Sequence, residues 1–385
     1  MRVWGESCGI VCEFLDQFAS HNPSNSRAIS TVSFCFLLVI LLAISACNDR
    51  NPMSQNPEKL RWESLGFEDH LVSTIEIDWP YLYACAAEDG LFRRRINRTN
   101  QEWKHLGLAD TTRTDSSTAN YYQTVKDIAI LDNGDILAAV DIKEPYSHGL
   151  FRTKDEGLTW KISDSGLFDP WEPFSSNSVQ VLVQGAKSPS VVYASTENAL
   201  FKSEDYGSTW NLEYGFLGGA GTTFDVCIHP ENDSSIWIGG VNGVGDAKLI
   251  KSINDGASWK RFDLRSITGP STAVKRVVTD PANSDIVYIA VVGAIIKTRD
   301  GGNNWSYTAF SAVQPFLALK IDNRNPEHIF AATEHTIYES WDGGENVTVL
   351  QSPTMNSIID IDYYDVTKIL YIATLYEGIY SYRFE

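Results

Sequence analysis

A set of carboxylates has the clearest capacity for chemistry in this chain. Asp110, Asp169 and Glu172 lie in long polar stretches between strand-like segments. Two carboxyl groups that face each other at about 5–9.5 Å can hydrolyse a glycosidic bond, one as general acid and the other as base or nucleophile. Asp169 or Glu172 could face Asp110 in this way, although no spacing in the sequence enforces it. These three residues are therefore the candidates for catalysis.

The same stretches carry aromatic residues that could bind a ligand. Exposed rings among polar residues suit stacking against a sugar or anchoring of a partner protein. The alternative is that the rings pack over their own loops, and the sequence leaves both possibilities open. The candidate ligand-binding residues are Tyr121, Tyr122, Tyr146, Trp171 and Phe174.

A short motif that repeats through the chain shows which elements must position these loops. Its pattern is Ser/Thr-x-Asp-x-Gly-x-Thr-Trp, and its copies are 153–160, 203–210, 252–259, 298–305 and a divergent 340–347. An Asp side chain accepts hydrogen bonds from main-chain amides further along and closes a turn, while Gly supplies the positive φ. We therefore predict that the residues in the Asp position have a structural role in turns. These residues are Asp155, Asp205, Asn254, Asp300 and Asp342.

Each copy of the motif lies among short strand-like segments. In the third repeat the predicted strands are 179–184, 191–195, 199–203 and 209–213. In the fifth repeat they are 275–279, 286–291, 294–298 and 304–308. Four short strands in about 40–50 residues are the sequence form of a propeller blade.

The number of repeats decides the predicted architecture. The start of a fourth strand recurs at Trp103, Trp160, Trp210, Trp259, Trp305 and Val347, which gives six blades. A seventh unit begins near Ile358 and lacks a fourth strand, whereas the segment around Trp62 lacks a blade of its own. We therefore predict an all-β, seven-bladed β-propeller with its ring closed by the N-terminal strand, which removes exposed strand edges.

The repeated motif resembles the Asp-box, or bacterial neuraminidase repeat, and residues 60–385 resemble the Asp-box propeller superfamily. That superfamily includes sialidases, xyloglucan-active endoglucanases, sortilin-type receptors and the lipidated, seven-bladed photosystem II assembly factors. The resemblance implies the fold and leaves the function open. A sialidase would need a Phe/Tyr-Arg-Ile-Pro element, and the nearest stretch, 92–97, lacks the Pro. The assembly-factor resemblance implies a basic patch, for which Arg93 to Arg98 are the available residues, although we expect these arginines to form a solvated edge.

The N-terminal segment is typical of a bacterial lipoprotein. Residues 28–46 form an uncharged apolar run, and Ile44-Ser45-Ala46-Cys47 matches the lipoprotein processing box. We predict that 1–46 is a signal or leader segment, that Cys47 carries lipid, that 47–59 is a tether and that 60–385 is the propeller. The protein would then be anchored at the bacterial cell envelope, facing the periplasm or the outside. An uncleaved N-terminal anchor is the alternative.

Composition excludes some classes of partner. The formal charge is 31 − 49 = −18, which argues against nucleic acid. Cys85 and Cys227 lie in strand-like surroundings and are predicted to be small buried residues rather than a disulfide. No Cys/His spacing predicts a metal site, and no motif predicts a cofactor.

These observations favour a non-enzymatic binding or assembly module. Turn chemistry explains every repeated polar residue, and no nucleophile, metal set or phosphate loop stands out. We expect a monomer that presents its long loops to a protein or glycan partner at the cell envelope. The alternative is a glycoside hydrolase that acts on polysaccharide through a pair of the carboxylates named above.

Overall fold

The computed structural model describes residues 61–87, 89–99, 101–108, 124–141, 149–167, 178–197, 199–215 and 221–384. All of them belong to one compact unit, Glu58–Glu385. Short runs of β-branched and aromatic residues bounded by Gly, Asn and Asp make this unit almost entirely β-sheet. One short helix, α1 (Arg265–Thr268), interrupts the strands. No helix in the described ranges is long and apolar enough to cross a membrane.

The strands are short and follow one another closely along the chain. Those before residue 220 are β1 (Trp62–Asp78), β2 (Tyr81–Ala86), β3 (Gly90–Arg95), β4 (Lys104–His105), β5 (Thr124–Ile130), β6 (Ile136–Asp141), β7 (Leu150–Thr153), β8 (Lys161–Ile162), β9 (Val181–Gln184), β10 (Val192–Ser195), β11 (Ala199–Ser203) and β12 (Asn211–Gly215). Those after residue 220 are β13 (Thr222–His229), β14 (Asn232–Val241), β15 (Ala247–Ser252), β16 (Lys260–Phe262), β17 (Arg276–Asp280), β18 (Asn283–Thr298), β19 (Ser306–Pro315), β20 (Ala318–Ile321), β21 (Ile329–Ala332), β22 (Ile337–Ser340), β23 (Thr348–Leu350), β24 (Ile358–Tyr364) and β25 (Ile369–Arg383).

These strands form the antiparallel sheets of an all-β propeller. Within the described residues, five sheets each contain three or four consecutive strands: β5–β8, β9–β12, β13–β16, β17–β19 and β20–β23. A further sheet has six strands in the order β24-β25-β1-β2-β3-β4, and it therefore joins the first and last strands of the unit.

The count of six sheets differs from the seven separate blades that the sequence predicts. The reason lies in β1, which pairs with β25 through Trp62–Leu71 and with β2 through Val72–Asp78. Because the main chain continues between these two halves without a turn, hydrogen bonding is continuous where the repeat pattern predicts a boundary.

The predicted strand positions match the structure closely in the third repeat. There β9 to β12 begin and end within two residues of the predicted segments. In the fifth repeat, β18 spans both the second and the third predicted strands. Its first half pairs with β17 and its second half with β19, so this sheet counts three strands instead of four.

The hydrophobic core lies between neighbouring sheets. One cluster, for example, combines Leu137 and Leu150 of one sheet with Val192, Phe201 and Trp210 of the next. Cys85 is buried and Cys227 partly buried, and both are free thiols. Burial against the next repeat is what stabilises each sheet, since a single sheet of four short strands has little apolar surface to bury within itself.

Candidate functional site

The repeated turns hold their Asp or Asn residue in one set of local hydrogen bonds. In the second copy, Asp205 Oδ1 accepts from the Ser203 hydroxyl and the Thr209 amide, both at 2.8 Å. Ser203 Oγ in turn accepts from the Gly207 amide at 2.8 Å. Partial burial would raise the pKa of Asp205, but the hydrogen bonds from Thr209 and Ser203 hold that pKa below its usual value. The corresponding acceptors in the other copies are Asp155, Asn254, Asp300 and Asp342.

A cation from the preceding repeat contacts each of these turns. It lies in the second half of the third strand of its repeat, directly after two apolar residues such as Leu-Phe or Ile-Ile. Lys202 Nζ, for example, lies 2.7 Å from Asp255 Oδ2. The five pairs are Arg93 with Glu156, Arg152 with Ser208, Lys202 with Asp255, Lys251 with Gly301 O and Lys297 with Gly343 O. We did not predict this contact from the sequence, although the apolar-apolar-cation triplet marks it.

The pattern ends at the last two repeats. Glu339 replaces the cation on β22 and lies 2.9 Å from Nε2 of the buried His328. Ser381 replaces it on β25. The loop 96–103 faces Ser381 and has neither the Asp nor the Gly of the motif. We call the region where β1, β25 and this loop meet the seam.

The seam contains a pocket of about 420 Å³ in which the side chains are strongly basic. We call it the arginine pocket. Its charged lining consists of five arginines and one carboxylate, namely Arg61, Arg94, Arg95, Arg98, Arg383 and Glu63. This excess of positive charge is notable because the whole chain has a formal charge of −18.

Neutral partners orient two of these guanidinium groups. Arg94 Nη1 donates to Leu65 O at 2.6 Å, and Arg95 donates through Nε and Nη2 to Tyr81 Oη at 3.2 and 3.1 Å. Among the described residues, no carboxylate forms an ion pair with Arg94, Arg95 or Arg98. A guanidinium is a planar fork of donors that matches a carboxylate or a phosphate. The arginine pocket can therefore bind an anionic group.

An aromatic wall completes the arginine pocket. Trp79 lies at its edge with 43% of its surface exposed. Its ring is stacked on Tyr364 with centroids 4.7 Å apart and an interplanar angle of 5°. A ligand in the pocket could therefore combine charge pairing with apolar contact.

A second charged region lies on the innermost strands, where carboxylates link neighbouring sheets. Asp127 on β5 accepts from the Leu182 amide on β9 at 2.7 Å. Burial raises the pKa of Asp127 to about 7. The same kind of bond joins Asp225 to the Val277 amide and Asp360 to the Ile75 amide. Burial also raises the pKa of Glu76 well above its usual value, and the nearby charge of Asp127 adds to the rise.

These inner carboxylates do not form a metal site. No group of three or more His, Cys, Asp or Glu side chains in the described part of the chain could hold a metal ion. Because Asp127 and its equivalents bind main-chain amides, their role is to connect sheets.

The predicted catalytic and ligand-binding residues lie outside the described residues. They are Asp110, Asp169, Glu172, Tyr121, Tyr122, Tyr146, Trp171 and Phe174, and the predicted lipidation residue Cys47 lies outside as well. The arginines at 93–98, which we expected to form a solvated edge, are placed differently. Arg93 is buried with 9% of its surface exposed, because β3 pairs with a neighbouring strand on both sides at this residue. Arg94 and Arg95 line the arginine pocket.

Comparison with known proteins supports the fold and leaves the family open. No protein-family model and no curated protein sequence matches this chain. Among solved structures, YCF48 bound to D1 peptide is similar with a TM-score of 0.60 at 16% identity, covering 84% of this chain and 97% of that one. The extracellular domain of the one-component system BT4673 from B. thetaiotaomicron is similar with a TM-score of 0.61 at 15% identity, over 84% of this chain and 40% of that one. An ancestral GH74 enzyme is similar with a TM-score of 0.55 at 13% identity, over 83% and 48%. The class that the fold defines is the β-propeller.

Proposed function

We propose that this chain is a non-enzymatic binding or assembly module whose arginine pocket binds the carboxylates of an acidic partner protein. The observation that carries the proposal is the convergence of five arginines and one carboxylate on one pocket in an acidic chain. The negative charge elsewhere would repel an acidic partner, so binding would be confined to the pocket. Peptide binding by the similar YCF48 structure is consistent with this proposal.

The position of the arginine pocket follows from a proposed count of seven blades. In this count the six-stranded sheet is two blades, and Trp62–Leu71 is the outer strand of the last one. A matched hydrogen bond supports it: Trp103 Nε1 donates to Leu65 O at 2.7 Å, and Trp160 Nε1 donates to Leu106 O at 2.7 Å. Leu65 therefore occupies the position in the last blade that Leu106, which directly follows the outer strand β4, occupies in the next repeat.

Two further observations support the seven-blade count. The strands β1, β5, β9, β13, β17, β20 and β24 contact one another in this cyclic order. A separate hydrophobic cluster also lies between Leu82 on β2 and Tyr371 and Ile379 on β25. In this scheme the N-terminal strand closes the ring, and the arginine pocket lies at the closure.

We also propose that the propeller is tethered to a bacterial membrane. If residues 1–46 are removed and Cys47 is lipidated, 13 residues (48–60) separate the lipid from Arg61. At about 3.5 Å per residue, such a tether spans at most ~50 Å. The arginine pocket, which contains Arg61, would then stay close to newly exported or membrane-bound partners. Replacement of Cys47 by Ser should leave an unprocessed precursor, as seen by intact mass.

Binding of simple acidic peptides tests the proposed function. Fluorescein-labelled Gly-Gly-Glu-Glu-Glu should bind the purified 385-residue chain, whereas its glutamine counterpart should bind at least about tenfold more weakly. Combined Arg95→Gln, Arg98→Gln and Arg383→Gln should abolish the preference, because charge-assisted hydrogen bonds contribute about 1.5–3 kcal/mol each. Arg299→Gln is the matched control, since Arg299 is a half-exposed arginine on a repeated turn. Equal binding by the triple variant and the control would refute the proposal.

The hydrolase alternative remains a prediction for residues outside the described ranges. It requires that a pair such as Asp110 and Asp169 act as acid and base across a groove. Turnover of any glycan by the wild-type chain, lost in Asp169→Asn, would establish it in place of the binding role.

A further inference from the structure

We infer, resting on the proposed binding of acidic partners, that a second pocket beside the arginine pocket selects partners carrying a tyrosine or tryptophan close to their carboxylates. This second pocket has a volume of about 360 Å³. We call it the aromatic pocket. It is lined by Phe67, His70, Asp89, Phe92, Trp103 and His105.

The two pockets are adjacent along the seam. Arg94 lines the arginine pocket, and Phe92, two residues away on the same face of β3, lines the aromatic pocket. Successive residues on one face of a strand are about 6.5–7 Å apart. Arg94 Nη1 and Trp103 Nε1, one from each pocket, donate to the same acceptor, Leu65 O. A single extended peptide could therefore fill both pockets with side chains about two residues apart.

The aromatic pocket is built around Phe67. The Phe67 ring meets Phe92 at 5.0 Å and Trp103 at 4.8 Å, both edge-to-face. Phe67 has φ 71° and Asp69 has φ 69°, conformations that are uncommon for residues other than glycine. Such strain persists only where the surroundings hold it, and it is concentrated at ligand sites. The backbone of β1 is thus held in an unfavourable conformation that places this ring in the pocket wall.

Two imidazole groups give the aromatic pocket its specificity. His70 Nδ1 lies 2.7 Å from Asp89 Oδ2, and the carboxylate accepts, so the proton of neutral His70 is on Nδ1. His105 Nε2 donates to Asp89 O at 3.1 Å, because a carbonyl oxygen can only accept. His70 Nε2 and His105 Nδ1 then carry lone pairs, and neither nitrogen has a partner in the described ranges.

Lone pairs among aromatic faces fit a ring that carries a hydrogen-bond donor. The hydroxyl of tyrosine and the indole N–H of tryptophan are such donors, whereas phenylalanine has none. Ring packing contributes about 0.5–1.5 kcal/mol and a hydrogen bond a similar amount. The order of affinity should therefore be tyrosine or tryptophan above phenylalanine, and phenylalanine above alanine.

The test compares labelled peptides by fluorescence anisotropy with the 385-residue chain. The probes are Gly-Tyr-Gly-Glu-Glu and its reverse, with Phe or Ala in place of Tyr. For one of the two directions, we expect the Tyr peptide to bind about 10–100-fold more tightly than the Ala peptide, and about 2–10-fold more tightly than the Phe peptide. His70→Ala and His105→Ala should remove the advantage of Tyr over Phe, and His335→Ala, at a half-exposed histidine elsewhere, should not.

The possible outcomes separate this inference from the proposed function. If Tyr, Phe and Ala peptides bind equally and all lose binding in the triple arginine variant, the selectivity inferred for the aromatic pocket is wrong. Binding of acidic partners by the arginine pocket is then still supported. A Tyr advantage that persists in both histidine variants would overturn the role of the imidazoles. No binding of any acidic peptide would overturn the proposed function and, with it, this inference.

Discussion

The junctions at the repeated turns and the seam connect neighbouring repeats by different means. At a repeated turn, an Asp or Asn binds the turn internally and a cation from the preceding repeat binds its outer side, as Lys202 binds Asp255. At the seam, loop 96–103 lacks the motif and Ser381 stands where the cation would be. A pocket of about 410 Å³ also lies beside the repeated turn 298–305, but its charged lining is only Lys260, Arg261 and Asp263. The seam differs in that five arginines line its pocket.

The difference shows how a regular repeat can make room for a binding site. At the five repeated junctions, the cation is paired with a carboxylate or bound to a hydroxyl or main-chain oxygen of the facing turn. At the seam, Arg94 and Arg95 are oriented by the neutral groups Leu65 O and Tyr81 Oη, and neither forms an ion pair with a carboxylate of the described residues. We therefore expect the functional site where the repeat pattern is broken, since proteins commonly depart from a regular pattern at functional sites.

The largest expected effect comes from removing the strand that forms the seam. Deletion of residues 61–71 takes away the partner of β25 and removes Leu65 from a core cluster. We expect loss of cooperative unfolding in guanidinium, followed by circular dichroism, because most of the ~5–15 kcal/mol typical of a domain would be lost. Deletion of 48–58 is the control and should leave the transition unchanged. If the protein lacking 61–71 unfolds like the parent, the pairing of this strand with β25 is not required for stability.

Replacing a tryptophan at a repeated turn should reduce the free energy of unfolding more than replacing a tryptophan at the seam. Trp210, at the end of a repeated turn, has 3% of its surface exposed. Trp210→Ala should destabilise by ~3–5 kcal/mol as a large-to-small core change. Trp103 is only partly buried beside the aromatic pocket, and Trp103→Ala should cost roughly 2 kcal/mol. Urea unfolding measures both, and equal costs would show that the seam is packed as tightly as the other junctions.

A hydroxyl inside a repeated turn tests the internal hydrogen bonds. Ser203 Oγ is buried and accepts from the Asp205 and Gly207 amides. Ser203→Ala should cost ~1–3 kcal/mol, because it leaves buried donors without a partner. Thr99→Ala, at an exposed residue of loop 96–103, should change stability by less than ~0.5 kcal/mol. Similar effects at both positions in thermal or urea unfolding would contradict the contrast.

The smallest expected effect is a difference in acid sensitivity. Partial burial would raise the pKa of Asp255, but hydrogen bonds from Lys202 and Tyr193 hold that pKa below its usual 3.8. A carboxyl with a lowered pKa stabilises the folded state above pH 3.8, and this contribution is lost as the pH falls through the folded-state value. Asp255→Asn should therefore cost up to ~1 kcal/mol of unfolding free energy at pH 6, because Asp255 is half-exposed, and progressively less as the pH falls below 3.8.

The seam supplies the control for this pH dependence. Arg98→Gln should shift the unfolding free energy equally at pH 3 and pH 6, since no described carboxylate is paired with Arg98. An Asp255→Asn cost that stays constant down to pH 3 would argue against the ion pair with Lys202.

The sequence by itself determined the all-β propeller, because its cause is local. The apolar-strand pattern and the turn motif recur every 42 to 50 residues, so the strands and the turn of each repeat can be predicted from its own residues. In the third repeat the predicted strands agree with β9 to β12 within two residues. The turn hydrogen bonds span only two to four residues, as from Ser203 to Asp205 and Gly207. Interactions of such short range can be inferred from spacing.

Only the tertiary structure decided the sheet count and the arginine pocket. Residues 62–71 pair with a strand more than 300 residues later, and no local spacing specifies whether that pairing continues into β2. Arg61 and Arg383 lie at opposite ends of the described chain and meet Arg94 and Arg98 only when those ends come together. In sequence, the arginines at 93–98 resemble an ordinary charged strand edge. The role of these arginines depends on which residues face them in the fold. Contacts between residues so distant along the chain depend on how the whole ring packs, and the sequence next to each arginine does not specify them.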